Sequence, residues 1–216
     1  MGHVAWSGDA SGSADLWTLA LGRIVDMATD PKSAFAGYLQ GARDGLIWKL
    51  DGLSERQVRL PMTPTGTNLL GLVKHAATWE AVYFGSVFGR PWPVPEDFPE
   101  FDTMDPHADS YAREDESREH VVDLYRRVQQ HADETIASLA WDAVGQVPHW
   151  GGAKITLLDA LIHQTCELQR HAGHADILRE HLDGTVGLLP GNSNVPDGVD
   201  WPAHMARLRA IAESFA

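Results

Sequence analysis

The chain of 216 residues is long enough for one large domain, or for one domain with extensions. Its 17 basic and 30 acidic residues give a formal charge of −13. This balance argues against binding to nucleic acid or to anionic membrane surfaces, because both require clustered Lys and Arg. No apolar run approaches the ~20 residues that cross a bilayer, and the first residues lack the pattern of a secretory signal. The single cysteine, Cys166, cannot form an internal disulfide, so we expect a reducing, cytoplasmic location.

The first quarter of the chain predicts an arm, a short helix and a long helix. Residues 1–15 are rich in Gly, Ser, Asp and Ala, which indicates a flexible N-terminal arm. "LWTLALGRIVDMA" (16–28) predicts a short amphipathic helix. "DPKSAFAGYLQGARDGLIWKLDGL" (30–53) predicts the first long helix, in which Pro31 suits the first turn. Its apolar residues keep a rough three-to-four spacing: Phe35, Leu39, Leu46, Leu50 and Leu53.

The second long helix is followed by an unusually long connection. "TNLLGLVKHAATWEAVYFGSVFG" (67–89) predicts the helix, and Gly89 with Pro91 is expected to end it. The segment 90–111 is rich in proline and acidic residues, which excludes a regular element. In a helical bundle, such length indicates a crossover between helices that are not antiparallel neighbours. The predicted inward face of the helix consists of Leu69, Leu72, Val73, Ala76 and Tyr83.

The remaining segments predict a third helix at 117–139, an irregular connection at 140–154 and a fourth helix at about 155–182. Asp183 and Gly184 are expected to end the fourth helix as a left-handed cap. A loop and a short helix over 201–215 follow. Nothing alternates convincingly with period two, so the prediction is an all-α four-helix bundle. We expect three parts: the arm 1–15, the bundle 16–184, and a C-terminal loop and short helix over 185–216.

The fourth helix carries a row of potential metal ligands. His163, Glu167 and His171 recur every four residues, which turns each only ~40° from the previous one, and His174 follows one turn later. Neutral imidazoles and carboxylates suit Zn²⁺, Ni²⁺ and Fe²⁺, and three protein ligands with one open position are typical of catalytic sites. One helix supplies two adjacent ligands, so another helix has to supply the third.

His75 on the second helix is the candidate for that third ligand. It lies on a face otherwise formed by Leu, Ala and Trp, where an imidazole is costly unless its nitrogens have partners. A hydrogen-bonded core histidine satisfies the same requirement, and the row on the fourth helix also suits a solvated polar surface. The spacing alone therefore leaves a metal site and these simpler interpretations as alternatives.

Three motifs resemble those of the DinB-like superfamily. They are "LLGLVKHAATWE" on the second helix, "ELQRHAGHADILREHLDG" on the fourth, and "LIWKLDGLSERQVR" at the end of the first. The superfamily comprises metal-binding four-helix bundles in an up-down-down-up arrangement, and includes mycothiol- and bacillithiol-dependent enzymes. The resemblance covers about residues 31–184 and is greatest to an actinobacterial-type branch. The long connection at 90–111 fits the crossover between helices two and three.

The resemblance implies that His75, Glu167 and His171 bind a divalent metal. Most members use three histidines, so Glu167 departs from the usual pattern, but it matches the mycothiol-dependent maleylpyruvate isomerase branch. An anionic ligand makes the site less positive and its bound water a weaker acid. His163 and His174 remain reserve ligands or supporting residues. Zn²⁺ is the expected ion, with Ni²⁺ and Fe²⁺ as alternatives.

The function implied by the resemblance is transfer of a low-molecular-weight thiol to a small electrophile, or thiol-assisted isomerisation of it. Trp79, Trp92 and Trp150 are expected to supply apolar walls, and Arg170 and Arg179 to meet a carboxylate on the thiol or substrate. The alternatives are a metal-binding protein without catalysis, and a metal-dependent hydrolase that uses bound water, with His163, His174 or Asp176 as the base.

Two further expectations concern the first and fourth helices. Cys166 lies ~100° around the helix from Glu167, so we expect a buried, inert thiol that points away from the ligands. Gly37, Gly41 and Gly45 recur every four residues on the first helix and permit close approach of a neighbour. Together with the apolar surface of the first helices, they predict a homodimer.

Overall fold

The computed structural model describes residues 31–99, 105–193 and 195–215. This part of the chain is mostly helical, with a small two-stranded sheet. The predicted arm 1–15 and the helix 16–28 lie outside it. The predicted division into three parts and the homodimer stay predictions. The α-helices are α1 Pro31–Trp48, α2 Glu55–Arg59, α3 Leu69–Tyr83, α4 Arg118–Ser138, α5 Leu157–Asp183 and α6 Trp201–Glu213, and the strands are β1 Val144–Val147 and β2 Ala153–Thr156.

Side chains cap the starts of α3 and α5, and a glycine ends α5. The Asn68 side chain accepts a hydrogen bond from the backbone N–H of Gly71 at the start of α3. Thr156 and Asp159 form a reciprocal capping box at the start of α5. Gly184 ends α5 with φ 76°, the left-handed conformation that glycine adopts at low cost. The predicted cap at this position is therefore confirmed.

The long helices α1, α3, α4 and α5 share one hydrophobic core. The predicted inward face of α3 is buried over its whole length, as is the corresponding face of α4. By contrast, α6 contributes no buried side chain. Among the described helices, none has the length and apolar character needed to cross a membrane. The α4 residues of this core are Val121, Leu124, Tyr125, Val128, Ala132 and Ile136.

A buried polar cluster joins three of these helices inside the core. The Arg43 guanidinium of α1 is ion-paired with Glu80 of α3, and both side chains are at most 2% exposed. Glu80 also accepts a hydrogen bond of 3.1 Å from the Tyr125 hydroxyl of α4. Arg43 reaches Asp133 at 2.7 Å as well. Charges removed from water require such partners, so the cluster fixes how α1, α3 and α4 align.

The connection between α4 and α5 is a β-hairpin, where an irregular segment was predicted. Strands β1 and β2 pair antiparallel, with Val144 opposite Thr156 and Val147 opposite Ala153. The exposure of β1 does alternate, but its two buried positions are Gly145 and Val147. A glycine and a valine give no clear apolar period-two pattern, so this strand could not be predicted from the sequence. The described part of the chain is mostly helical, consistent with the all-α prediction, and the small sheet is an addition to it.

The hairpin packs beside the C-terminal end of α3. A Cβ atom on Gly145 would lie 2.6 Å from the carbonyl oxygen of Val87, so only glycine permits this approach. Residues 148–150 form a single 3₁₀ turn at the tip of the hairpin, followed by Gly151 with φ 66°. This contact brings His149 and Trp150 next to the residues that α3 and α5 direct towards each other.

Candidate metal centre

A cavity of about 270 Å³ lies between α3, α5 and the tip of the hairpin. Residues one helical turn apart supply its walls, because positions i and i+4 share one side of a helix. The lining residues are His75, Ala76, Trp79 and Tyr83 from α3, His149 and Trp150 from the hairpin, and His163, Gln164, Glu167, Leu168 and His171 from α5.

The three side chains predicted as metal ligands all line this cavity. The rings of His75 and His171 meet edge to face, with centroids 4.8 Å apart. Oε2 of Glu167 lies 3.9 Å from Nε2 of His171. Within residues 31–99, 105–193 and 195–215, no three His, Cys, Asp or Glu side chains are gathered closely enough to hold an ion. The metal-binding triad therefore stays a prediction, although its three side chains line the same cavity.

His171 is a neutral imidazole at neutral pH. Burial lowers its pKa to about 4, and the neighbouring His75 and His174 act in the same direction. Its Nδ1 atom is buried and has no hydrogen-bond partner among the described residues. An unpartnered polar nitrogen is costly in a protein interior, and a metal ion would give it a partner.

His75 is held from the side by a carboxylate that was not predicted from the sequence. Oδ2 of Asp109 lies 2.8 Å from Nδ1 of His75 and accepts a 2.9 Å hydrogen bond from Nε1 of Trp79. Burial raises the pKa of Asp109, but the hydrogen bonds from His75, Ser110 and Trp79 outweigh it and leave that pKa below its usual value. Asp109 belongs to the acidic crossover, where no spacing distinguishes it from its neighbours.

The chemistry of these side chains fits a divalent metal. Two imidazoles and one carboxylate form the ligand set found in many catalytic zinc sites. The Nδ1 contact of His75 with a carboxylate matches the usual support of a metal-binding imidazole, whose other nitrogen faces the ion. The orphaned nitrogen of His171 supports the same interpretation.

Tyr83 and His149 add neutral hydrogen-bonding groups to the cavity wall. Burial, together with the charge of Glu167, raises the pKa of Tyr83 to about 12. Burial and the neighbouring His163 lower the pKa of His149. Both groups are therefore uncharged at neutral pH. From the sequence, Tyr83 was predicted only as a core residue. His149 was not predicted to line a site, although it follows a proline in the same short turn as Trp150.

The other residues named from the sequence fall into two groups. His163 lines the cavity, with its ring centroid 4.8 Å from that of Tyr83, and Trp79 and Trp150 line it as expected for walls. His174 is exposed and lies 5.7 Å from His171, ring to ring, but does not line the cavity. Arg170 is exposed and does not line it either. Trp92 packs against Phe98 and His131 and also does not line the cavity, so its predicted role as a wall is wrong.

Three residues have surroundings that the sequence did not indicate. The Arg179 guanidinium is buried, where it binds the Asp183 carboxylate and donates to the backbone carbonyls of Lys49 and Asp51. It therefore supports helix ends and does not line the cavity. Asp176 pairs with Lys49 at 2.6 Å. Cys166 points away from the cavity as expected, but it is exposed and not buried, because α5 packs on its other side.

The fold and the cavity together define a mostly helical protein in which histidine and glutamate from two helices enclose one small space. A family model described as mycothiol-S-transferase matches residues 34–184, which is more than half of the chain. The chain belongs to this family, which is part of the DinB-like superfamily, and the predicted resemblance is confirmed. No curated protein matches the chain.

Proposed function

We propose that the protein transfers the sulfur of a mycothiol-type thiol to a small electrophile, with a divalent metal held by His75, Glu167 and His171. The observation that carries the proposal is the meeting of the His75 and His171 rings, 4.8 Å apart, beside Glu167. All three residues lie in the segment 34–184 that matches the mycothiol-S-transferase family. Zn²⁺ is the proposed ion, because two imidazoles and a carboxylate suit it.

A bound divalent metal supplies positive charge that lowers the pKa of a thiol and so favours the nucleophilic thiolate. The residues of this chain prepare the site for that role. His171 stays neutral at neutral pH, so its lone pair need not compete with a proton. Glu167 adds one negative charge, and Asp109 holds His75 from outside the cavity.

The reaction forms a bond between the thiol sulfur and an electrophilic carbon. The thiol loses its proton, and either a leaving group departs with its bonding electrons, or a carbon that accepts the π electrons takes up a proton. Aromatic side chains of Trp79, Tyr83 and Trp150 provide flat walls for the electrophile. The described lining contains no Lys or Arg, so the cavity favours an uncharged electrophile over a carboxylate.

We also propose the up-down-down-up four-helix arrangement of the superfamily for α1, α3, α4 and α5. Contacts of α1 with α5, and of α3 with both α4 and α5, support it. The long segment between α3 and α4 has the length that a crossover between parallel helices requires. This arrangement directs His75 on α3 towards Glu167 and His171 on α5.

The experiment that tests the function measures electrophile consumption by the zinc-loaded protein with a panel of low-molecular-weight thiols. We expect consumption to require a thiol, to yield a thioether, and to be lost in His171→Ala. His181→Ala is the matched control, since His181 is exposed on the same helix and does not line the cavity. Thiol-independent addition of water would indicate hydrolysis, an isomerised product would indicate isomerisation, and zinc binding without turnover would indicate a binding protein. Each of these results contradicts thiol transfer.

A further inference from the structure

We propose that Asp109 is a positioning residue of the metal centre. Its carboxylate holds His75 through Nδ1, leaves Nε2 to bind the ion, and thereby sets the affinity of the site for metal. This inference rests on the proposed function, because it assumes that His75 is a ligand. It adds a residue from the crossover segment, 34 residues from His75 along the chain, to a site otherwise built by α3, α5 and the hairpin.

Three hydrogen-bond donors fix the Asp109 carboxylate. Oδ2 is shared by Nδ1 of His75 at 2.8 Å and Nε1 of Trp79 at 2.9 Å. Oδ1 accepts from the Ser110 hydroxyl at 3.0 Å. The side chain of Asp109 is 10% exposed, so water competes little for these bonds. His75 and Trp79 are one turn apart on α3, which allows one carboxylate to bind both.

The contact selects one form of the His75 ring. An ionised carboxylate only accepts hydrogen bonds, so the proton between the two groups lies on Nδ1 of His75. In a neutral imidazole with its proton on Nδ1, the lone pair available for a metal is on Nε2. A carboxylate behind a metal-binding histidine fixes both the tautomer and the orientation of the ring.

The position of Asp109 is itself determined by a close backbone contact. A Cβ atom on Gly71 would lie 1.9 Å from the carbonyl oxygen of Ser110, so any other residue would displace the segment that carries Asp109. The Asn68 side chain donates to the same carbonyl at 3.4 Å. Gly71 precedes His75 by one turn, so α3 presents both the surface against which the segment packs and the ring that Asp109 binds.

A second contact holds the C-terminal side of the segment. The Lys74 ammonium pairs with Glu116 at 2.8 Å, and both side chains are nearly inaccessible to water. Lys74 is adjacent to His75, so the segment is attached to α3 on both sides of Asp109. A carboxylate attached in this way cannot move to another partner without breaking the packing of the crossover.

The experiment compares the zinc dissociation constants of the full-length wild type and Asp109→Asn, measured by competition with a chelator. Asparagine preserves the shape and one acceptor oxygen but loses the charge. We expect zinc affinity to fall by about 10- to 100-fold, as is usual when such a supporting partner is lost. Asp105→Asn is the matched control, because it changes the same charge in the same segment, where Asp105 binds Tyr111. Its affinity should equal that of the wild type.

A merely structural role for Asp109 would not change the tautomer of His75. Imidazole ¹⁵N NMR of the metal-free protein, with His75→Gln to assign the signals, should show the Nδ1–H form in the wild type and loss of that preference in Asp109→Asn. If Asp109→Asn does not fold, Ser110→Ala serves in its place, since it removes one hydrogen bond to the carboxylate and should weaken zinc binding in the same direction.

The outcomes separate this inference from the proposed function. If wild type and variant bind zinc equally and show the same tautomer, Asp109 is not a positioning residue, while the proposed metal site stands. If the wild type itself binds no zinc, the proposed function fails and the inference fails with it.

Discussion

The Tyr83 hydroxyl of α3 lies 3.1 Å from Nε2 of His149 at the tip of the hairpin. The two rings meet edge to face with centroids 5.6 Å apart, and Trp150 packs against Tyr83 at 5.8 Å. Tyr83 therefore attaches the hairpin to α3 through one polar contact and two ring contacts. Since His149 and Trp150 both line the cavity, the wall of the proposed active site depends on this attachment.

Loss of the Tyr83 hydroxyl should weaken the attachment of the hairpin to α3. We expect Tyr83→Phe to lower the free energy of unfolding by about 1 kcal/mol, the usual net contribution of one hydrogen bond. Urea denaturation followed by circular dichroism measures the change, and zinc content should stay that of the wild type. Tyr38→Phe is the control, because Tyr38 is 52% exposed. An equal effect in both variants would show that the Tyr83 contact contributes nothing.

The buried ion pair of Arg43 and Glu80 should contribute far more to stability than the hydrogen bond between Tyr83 and His149. Glu80→Ala leaves the Arg43 charge without its buried partner, so we expect a loss of about 3–5 kcal/mol in the free energy of unfolding. Thermal and urea denaturation both report it. Glu134→Ala removes the exposed partner of Arg90 and should cost at most about 1 kcal/mol. Similar losses in the two variants would contradict the assigned role of the buried pair.

The pair of Arg179 and Asp183 should make stability depend on acid pH. Hydrogen bonds from Arg179, against a small opposing effect of burial, lower the pKa of Asp183 to about 2, below its unfolded value of about 3.9. A lowered folded pKa adds stability above the unfolded pKa, and that stability is lost as pH falls towards 2. Asp183→Asn should therefore be less stable than wild type by about 1 kcal/mol at pH 7, a figure reduced for the partial exposure of Asp183.

Denaturation midpoints at pH 7, 5, 3 and 2 test this dependence. The difference between wild type and Asp183→Asn should be constant from pH 7 to 5 and should shrink between pH 4 and 2. Asp197→Asn provides a control from an exposed loop. A difference that grew as the pH fell would contradict the assigned direction of the pKa shift.

Cys166 should be reactive towards reagents but irrelevant to function. Its side chain is exposed and does not line the cavity. We expect iodoacetamide to alkylate it in the folded protein, and we expect both the alkylated protein and Cys166→Ser to keep the zinc content and thiol-transfer rate of the wild type. A loss of either property in Cys166→Ser would mean that the thiol takes part in the site.

Local chemistry made much of the helical structure predictable. The three-to-four spacing of apolar residues located α1, α3, α4 and α5, and Gly184 marked the end of α5. The hairpin was missed because Gly145 fills one of its buried positions. Cys166 was predicted to be buried because it lies ~100° around the helix from Glu167, but its exposure depends on which side of α5 packs against other helices.

The residues that line or support the cavity could be predicted only in part, because some of them lie outside the regular helices. Residue type and helical spacing marked His75, Glu167 and His171 as candidates in the sequence, and the resemblance to the DinB-like superfamily singled them out as ligands. Asp109 and His149 reach the site through the crossover and the hairpin, and no regular period relates them to the helices. Arg179 looked available on a helix surface, whereas tertiary packing directs its guanidinium to Asp183 and to two backbone carbonyls.

The metal content of the protein purified without added metal tests the central claim most directly. Elemental analysis by mass spectrometry should find close to one zinc ion per wild-type chain, and almost none in His75→Ala or His171→Ala. His181→Ala, from the exposed face of α5, should retain the wild-type content. Full metal occupancy in His171→Ala would contradict the triad of His75, Glu167 and His171.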